Sequence, residues 1–150
     1  MGYCISVAIE KGGVGKTATA TNLAALMARD GKKVLVVDMD AQGNSTFTLT
    51  GVRVTDAAFA RAGVYDMFRA YGISDAGNYI SQTQFEGIDI IPANANTPMT
   101  ENLLQNLSRT QEQSINMFLA LCLSEVADSY DFIVIDTPPR RDVMVTNALL

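Results

Sequence analysis

The sequence predicts an α/β fold: a mostly parallel sheet with helices on both faces, in one domain over residues 1–150. Three observations predict it. Short, nearly continuous apolar runs recur at residues 4–9, 34–37, 88–91 and 132–135, the pattern of parallel strands buried on both sides. Stretches with apolar residues at helical spacing separate them. The first run passes through Lys11-Gly12-Gly13-Val14-Gly15-Lys16-Thr17 straight into a helical stretch, and strand, glycine loop, helix is the context a phosphate-binding loop requires.

Taking the elements in order, the glycine loop follows the strand at 4–9. Gly12, Gly13 and Gly15 let the backbone fold tightly with its N–H groups turned inward around an anion. The helix that starts near Gly15 adds the positive end of its dipole. Lys16 supplies a full charge for terminal phosphates, and Thr17 offers a hydroxyl to Mg²⁺. An ordinary strand-to-helix turn is the bland alternative, and Gly-Lys-Thr after a strand argues against it. The first helix is expected over 15–30, with Ala20, Leu23, Ala24, Leu26 and Met27 at helical spacing and Gly31 as its C-cap. Residues 34–37 form the second strand, ending at Asp38. Strand, helix and strand of this length make a βαβ unit with a right-handed crossover, whose strand ends face one crevice.

Residues 42–54 are polar and read as a mobile loop with one helical turn. Residues 56–70 read as a helix packing Tyr65, Met67 and Phe68 inward, and 71–84 as irregular. A third strand at 88–91 stops at Pro92. Thr97-Pro98 opens a helix with Leu103, Leu104 and Leu107 on one face. The polar run 108–114 is expected to break it before Ile115, Phe118, Leu119, Cys122 and Val126 form a second face. The fourth strand, 132–135, ends in Asp136, and another helix begins at Val143.

Bulk properties narrow the function. The chain is 48% hydrophobic and 18% charged, as globular domains are. No apolar stretch approaches the ~20 residues of a membrane span, and no N-terminal signal pattern is visible, so no membrane partner is expected. Two cysteines without metal spacing suggest a reducing cytoplasm, with Cys4 and Cys122 both expected to be buried small hydrophobes. The absence of histidine excludes histidine triads and histidine metal sites, leaving acid–base work to carboxylates, lysines or water. A net charge of −5 and a pI near 4.5 argue against a DNA-coating domain.

Three strands thus end in a chemical group: the glycine loop, Asp38 and Asp136. In a parallel sheet these ends are neighbours, which places two carboxylates where Mg²⁺ needs oxygen ligands beside a triphosphate. A carboxylate capping the next turn is the alternative for Asp136. Asp38 and Asp40, two apart, share a side if the strand persists; one can face the metal shell and the other orient the attacking water. Phosphoryl transfer needs positioning and charge neutralisation more than covalent chemistry.

The string Lys11-Gly12-Gly13-Val14-Gly15-Lys16-Thr17 resembles the deviant Walker A box of the ParA/MinD ATPases. Val36-Val37-Asp38-Met39-Asp40-Ala41-Gln42-Gly43-Asn44 resembles their A′ box, and Tyr130 to Pro139 their Walker B and switch segment. Gln42-Gly43-Asn44 and Pro138-Pro139 bring the match closer to the ParA partition proteins. The resemblance implies a P-loop NTPase of the nitrogenase iron protein type, an ATPase that binds ATP or ADP with Mg²⁺ and closes a homodimer with ATP to partition DNA. It implies Lys11, Lys16 and Asp40 as catalytic residues, with Lys11 reaching across the dimer. It implies nucleotide contacts from Lys11, Gly12, Gly13, Val14, Gly15, Lys16, Thr17, Ala18, Asp38 and Asp136, and metal contacts from Thr17, Asp38 and Asp136. A ParB-like activator, non-specific DNA and a nucleoid-associated location in the cytoplasm are further implications. Ala18 departs from the hydroxyl residue that often follows Thr17, and Arg140-Arg141 from the usual small turn; these arginines are either a local anion contact or a solvated loop. Members continue well beyond residue 150, so the chain is expected to hold only the N-terminal part of the fold. The competing readings are a nucleotide-binding module without effective turnover, an iron-protein-like reductase lacking its cluster cysteines, a MinD-like regulator, and a tyrosine-kinase-like protein lacking a tyrosine tail.

Overall fold

The computed structural model describes residues 2–8, 11, 13, 15–56, 61–112, 114–139 and 143–149. Its strands are β1 (Tyr3–Val7), β2 (Val34–Asp38), β3 (Ser81–Gln82), β4 (Ile88–Ile91) and β5 (Phe132–Asp136). Its α-helices are α1 (Lys16–Arg29), α2 (Asn44–Thr50), α3 (Val64–Arg69), α4 (Thr100–Gln111), α5 (Phe118–Ser124) and α6 (Val143–Leu149). The sheet order is β1-β5-β2-β4-β3. β1, β5, β2 and β4 are parallel, and β3 runs antiparallel to β4.

Alternation along the central strand explains the layering, because successive side chains of a strand face opposite sides. Leu35 and Val37 of β2 enter a core with Met67, Phe68, Leu104, Phe118 and Leu119 from α3, α4 and α5. Val34 and Val36 enter the opposite core with Ala20, Ala24 and Leu49 from α1 and α2. Phe118 is fully buried and meets Tyr71 edge to face at 5.0 Å. Burying one such side chain contributes about 1.5–3 kcal/mol. The expected α/β architecture with helices on both faces is therefore the observed one.

Several local expectations need correction. The segment read as a mobile loop holds α2, two turns with Ser45, Thr46, Leu49 and Thr50 all buried. Its hydroxyls are satisfied inside the protein, which composition alone does not reveal. The helix expected over 56–70 is shorter: α3 starts at Val64, where the Gly63 N–H donates to the Asp66 side chain at 2.9 Å, and residues 57–60 lie outside the described residues. The region expected to be irregular contributes β3. The polar run at 108–114 does break the helix as expected: α4 ends at Gln111, Glu112 follows with φ of 52°, and α5 begins at Phe118.

The first strand is not buried on both sides. β1 forms an edge with β5 as its strand partner among the described residues, and Tyr3 is 74% exposed, stacked on Phe132. Cys4 is consequently exposed, contrary to expectation, whereas Cys122 is buried on α5. Burial and the nearby Glu125 charge push the Cys122 thiol up to about 12.

Candidate nucleotide site

The sheet order places β5 between β1 and β2, so Asp136 sits opposite Val7 on one side and opposite Asp38 on the other. The Thr137 hydroxyl donates to the Val7 carbonyl at 2.9 Å, and the Met39 N–H donates to the Asp136 carbonyl at 2.9 Å. These bonds tie three strand ends together at the carboxyl edge, where α/β sheets bind ligands. The loop leaving β1 returns as α1 beside them. Gly13 and Gly15 have φ of 70° and 85°, left-handed values that an L-residue adopts only with strain. Gly15 is the residue immediately before α1.

Lys16 and Thr17 open α1, with the Lys16 side chain buried and Thr17 half-buried. The Thr17 hydroxyl donates to Asp136 Oδ2 at 2.8 Å. The Ser45 hydroxyl, from the first turn of α2, donates to the same oxygen at 2.7 Å. Asp136 Oδ1 is buried and has no hydrogen-bond partner among the described residues. Burial raises the Asp136 pKa; the Ser45 and Thr17 hydrogen bonds oppose this, the Asp40 charge adds to it, and the Lys16 charge opposes it.

Asp38 is fully buried. Its Oδ2 accepts from the Thr46 N–H at 2.8 Å and the Thr46 hydroxyl at 2.7 Å, and its Oδ1 accepts from the Asp40 N–H at 3.2 Å. Burial pushes its pKa up to about 7, against the Thr46 hydroxyl bond and with help from the Asp136 charge. Asp40 is half-buried, and its Oδ1 accepts from the Gln42 N–H at 3.0 Å. It lines a cavity of about 240 Å³ with Glu101, Pro138 and Pro139, which leaves room for water beside it.

Lys16, Thr17, Asp38, Asp40 and Asp136 thus converge. Lys11, Gly13 and Ala18 are exposed around the loop and the start of α1. Gly12 and Val14 of the expected loop, and Arg140-Arg141 of the expected anion contact, lie outside the described residues. Ser45 and Thr46 were missed by sequence reasoning. The signal that could have found them is a Ser-Thr pair directly after Asn44, where a helix starts.

The residues fit Mg²⁺ on one structural ground. Thr17 spends its only proton on Asp136, so its lone pairs stay free to coordinate, and the unpaired Asp136 Oδ1 is a buried anionic oxygen of the kind a cation or its water shell satisfies. No group of three or more acidic or cysteine side chains forms a complete metal cage among the described residues. Mg²⁺ does not require one, since it is usually held by one or two carboxylates with phosphates and water.

Fold and loop together define a P-loop NTPase. A family model described as an AAA domain matches residues 2–150. The chain is 38% identical over 150 residues to the sporulation initiation inhibitor protein Soj of Bacillus subtilis, covering 99% of this chain and 54% of that protein. It is 34% identical over 145 residues to the chromosome partitioning protein ParA of Caulobacter vibrioides, covering 97% and 51%. Cobyrinic acid a,c-diamide synthase from Mycobacterium smegmatis, solved with bound ATP analog and magnesium, matches with a TM-score of 0.84 at 30% identity, covering 99% of this chain and 56% of that one. The chain belongs to the ParA-like family of partitioning ATPases, and it spans about half the length of the curated relatives it matches.

Proposed function

We propose that this chain binds ATP or ADP with Mg²⁺ and hydrolyses ATP, and that its nucleotide state switches a homodimer that partitions plasmid or chromosomal DNA. The observation that carries the nucleotide reading is the Thr17–Asp136 hydrogen bond at 2.8 Å beside an unpaired Asp136 Oδ1. The family supplies the partitioning role, together with a ParB-like activator, non-specific DNA and a nucleoid-associated location in the cytoplasm.

In this reading the loop from Lys11 to Thr17 wraps the phosphates with its backbone N–H groups, and Lys16 neutralises the terminal ones. Thr17 and Asp136 would hold the metal. Asp38, whose oxygens already accept three protein hydrogen bonds, acts on the metal through its charge and fixes the start of α2. Asp40 orients the attacking water from the cavity beside it. Bound Mg²⁺ supplies charge neutralisation for the terminal phosphates. Lys11, exposed at the mouth of the loop, reaches the partner's nucleotide.

Calorimetry with ATP and Mg²⁺ on the parent and on Lys16→Ala tests the reading. A unit charge pair is worth up to ~4 kcal/mol at an effective dielectric near 20, so affinity should fall on the order of 10²–10³-fold. Equal affinity in the two proteins overturns it.

A further inference from the structure

We propose that Ser45 is a positioning residue for the metal side of this site, orienting the Asp136 carboxylate so that Oδ1 faces the metal shell. The inference rests on the nucleotide reading above and deepens it. Two hydroxyl protons, from Ser45 at 2.7 Å and Thr17 at 2.8 Å, meet on the one oxygen Oδ2. That arrangement uses the hydrogen-bonding capacity of Oδ2 and leaves the other carboxylate oxygen buried and without a hydrogen-bond partner among the described residues. Buried acceptors are normally satisfied, so an unpaired one with its twin doubly bonded marks an orientation set for a further partner.

Ser45 can impose this orientation because its own position is fixed independently. It is fully buried, and its neighbour Thr46 anchors the same turn of α2 to Asp38 through both its N–H and its hydroxyl. The Thr46 hydroxyl also accepts from the Ala93 N–H at 3.0 Å, just beyond β4. Consecutive residues of one turn therefore grip both strand-end carboxylates, and rotation of Asp136 away from the metal breaks a bond to a group that cannot follow. Without the Ser45 hydroxyl, Thr17 alone holds Oδ2, and Thr17 sits on a different element that also serves the nucleotide. Groups that orient a metal ligand without touching the metal are typically worth 10–100-fold in metal affinity or activity.

The test is a Mg²⁺ titration by calorimetry on the chain saturated with a non-hydrolysable ATP analogue. The analogue's affinity in EDTA and the far-ultraviolet circular dichroism are measured alongside. Ser45→Ala should weaken Mg²⁺ affinity by about 10-fold or more, with metal-free analogue affinity unchanged. Ser45→Cys keeps a side chain of the same connectivity, with a somewhat larger atom, but replaces a strong donor by a weak one; it should lose Mg²⁺ affinity in the same direction, and it decides the matter if Ser45→Ala does not fold. Unchanged Mg²⁺ affinity in the folded variant overturns the inference alone. So does parallel loss of Mg²⁺ and metal-free affinity, which is general damage to the pocket. A parent chain with no Mg²⁺-dependent gain overturns the nucleotide reading, and this inference with it.

Discussion

Asp38 and Asp136 are register partners across β2 and β5, so two buried carboxylates lie side by side at the carboxyl edge of the sheet. Each is costly to ionise there, chiefly through burial; for Asp38 the neighbouring Asp136 charge adds directly. The two are relieved differently. Asp38 is bonded by Thr46 on one oxygen and by the Asp40 N–H on the other, whereas one Asp136 oxygen has no hydrogen-bond partner among the described residues.

The first prediction is a pH dependence of stability in the metal-free chain. The Asp38 pKa rises from 3.8 unfolded to about 7 folded, so between these values the folded state binds more protons than the unfolded one. Stability is therefore fully present below about pH 4 and falls as pH rises through 7; Asp136, also raised, acts in the same direction. A tenfold difference in proton affinity between the two states corresponds to about 1.4 kcal/mol. Thermal melts in EDTA should show the parent several degrees less stable at pH 8 than at pH 5. Asp38→Asn should flatten that difference while adding a pH-independent cost, because an amide nitrogen cannot accept from the Asp40 N–H. A variant with the parent's pH slope would show that Asp38 is not the group responsible.

A second prediction concerns the chemical step. Asp40 accepts from Gln42 and borders a cavity with room for water, and its carboxylate does not appear among the bonds that hold α2 in place. Asp40→Ala should retain ATP affinity within about twofold while single-turnover phosphate release falls about 10²-fold or more, the lower range for a positioned acid–base group. An undiminished rate assigns the water-orienting role elsewhere, Asp38 being the next candidate.

How much of this was legible in the sequence follows from where polar groups are satisfied. α1 and β2 were readable because their apolar spacing is uninterrupted and glycines mark the ends. Asp38 and Asp136 were readable because each ends an apolar strand. α2 was not, because Ser45 and Thr46 look like loop residues until Asp136 and Asp38, 91 and 8 residues away, accept their protons, and Thr50 looks like one until its hydroxyl donates to the Thr46 carbonyl. Tertiary partners, not local propensity, make that segment helical. The exposure of Cys4 was equally hidden: an apolar run reads the same whether helices cover its faces or leave them open, and β1 starts with two exposed residues. β3, two residues long, carries no period at all.

The last prediction concerns assembly. Lys11 is exposed at the mouth of the loop, while Lys16 is buried next to Asp136. One lysine is thus placed to serve phosphates within the chain, and the other stands in solvent, apart from that role. In the proposed dimer Lys11 meets the partner's phosphates as an arginine finger does, and such fingers are worth about 10³–10⁵ in rate. The dimer should then be ATP-dependent and close to symmetric, with loops face to face. A different association competes with it. β1 is an open edge in the described sheet, Tyr3–Val7 carries no charge or proline, and Tyr3 is 74% exposed. An unprotected edge of this kind pairs with other strands, and such pairing does not depend on nucleotide. Light scattering with and without ATP and Mg²⁺ separates the two, since edge pairing scales with protein concentration alone. Lys11→Ala should abolish the ATP-induced species and leave any nucleotide-independent species unchanged. Introducing a charge on the edge, as in Tyr3→Lys, should do the reverse. If Lys11→Ala dimerises with ATP as well as the parent does, the cross-subunit role is wrong, and Lys11 is a solvated charge at the entrance of the phosphate loop.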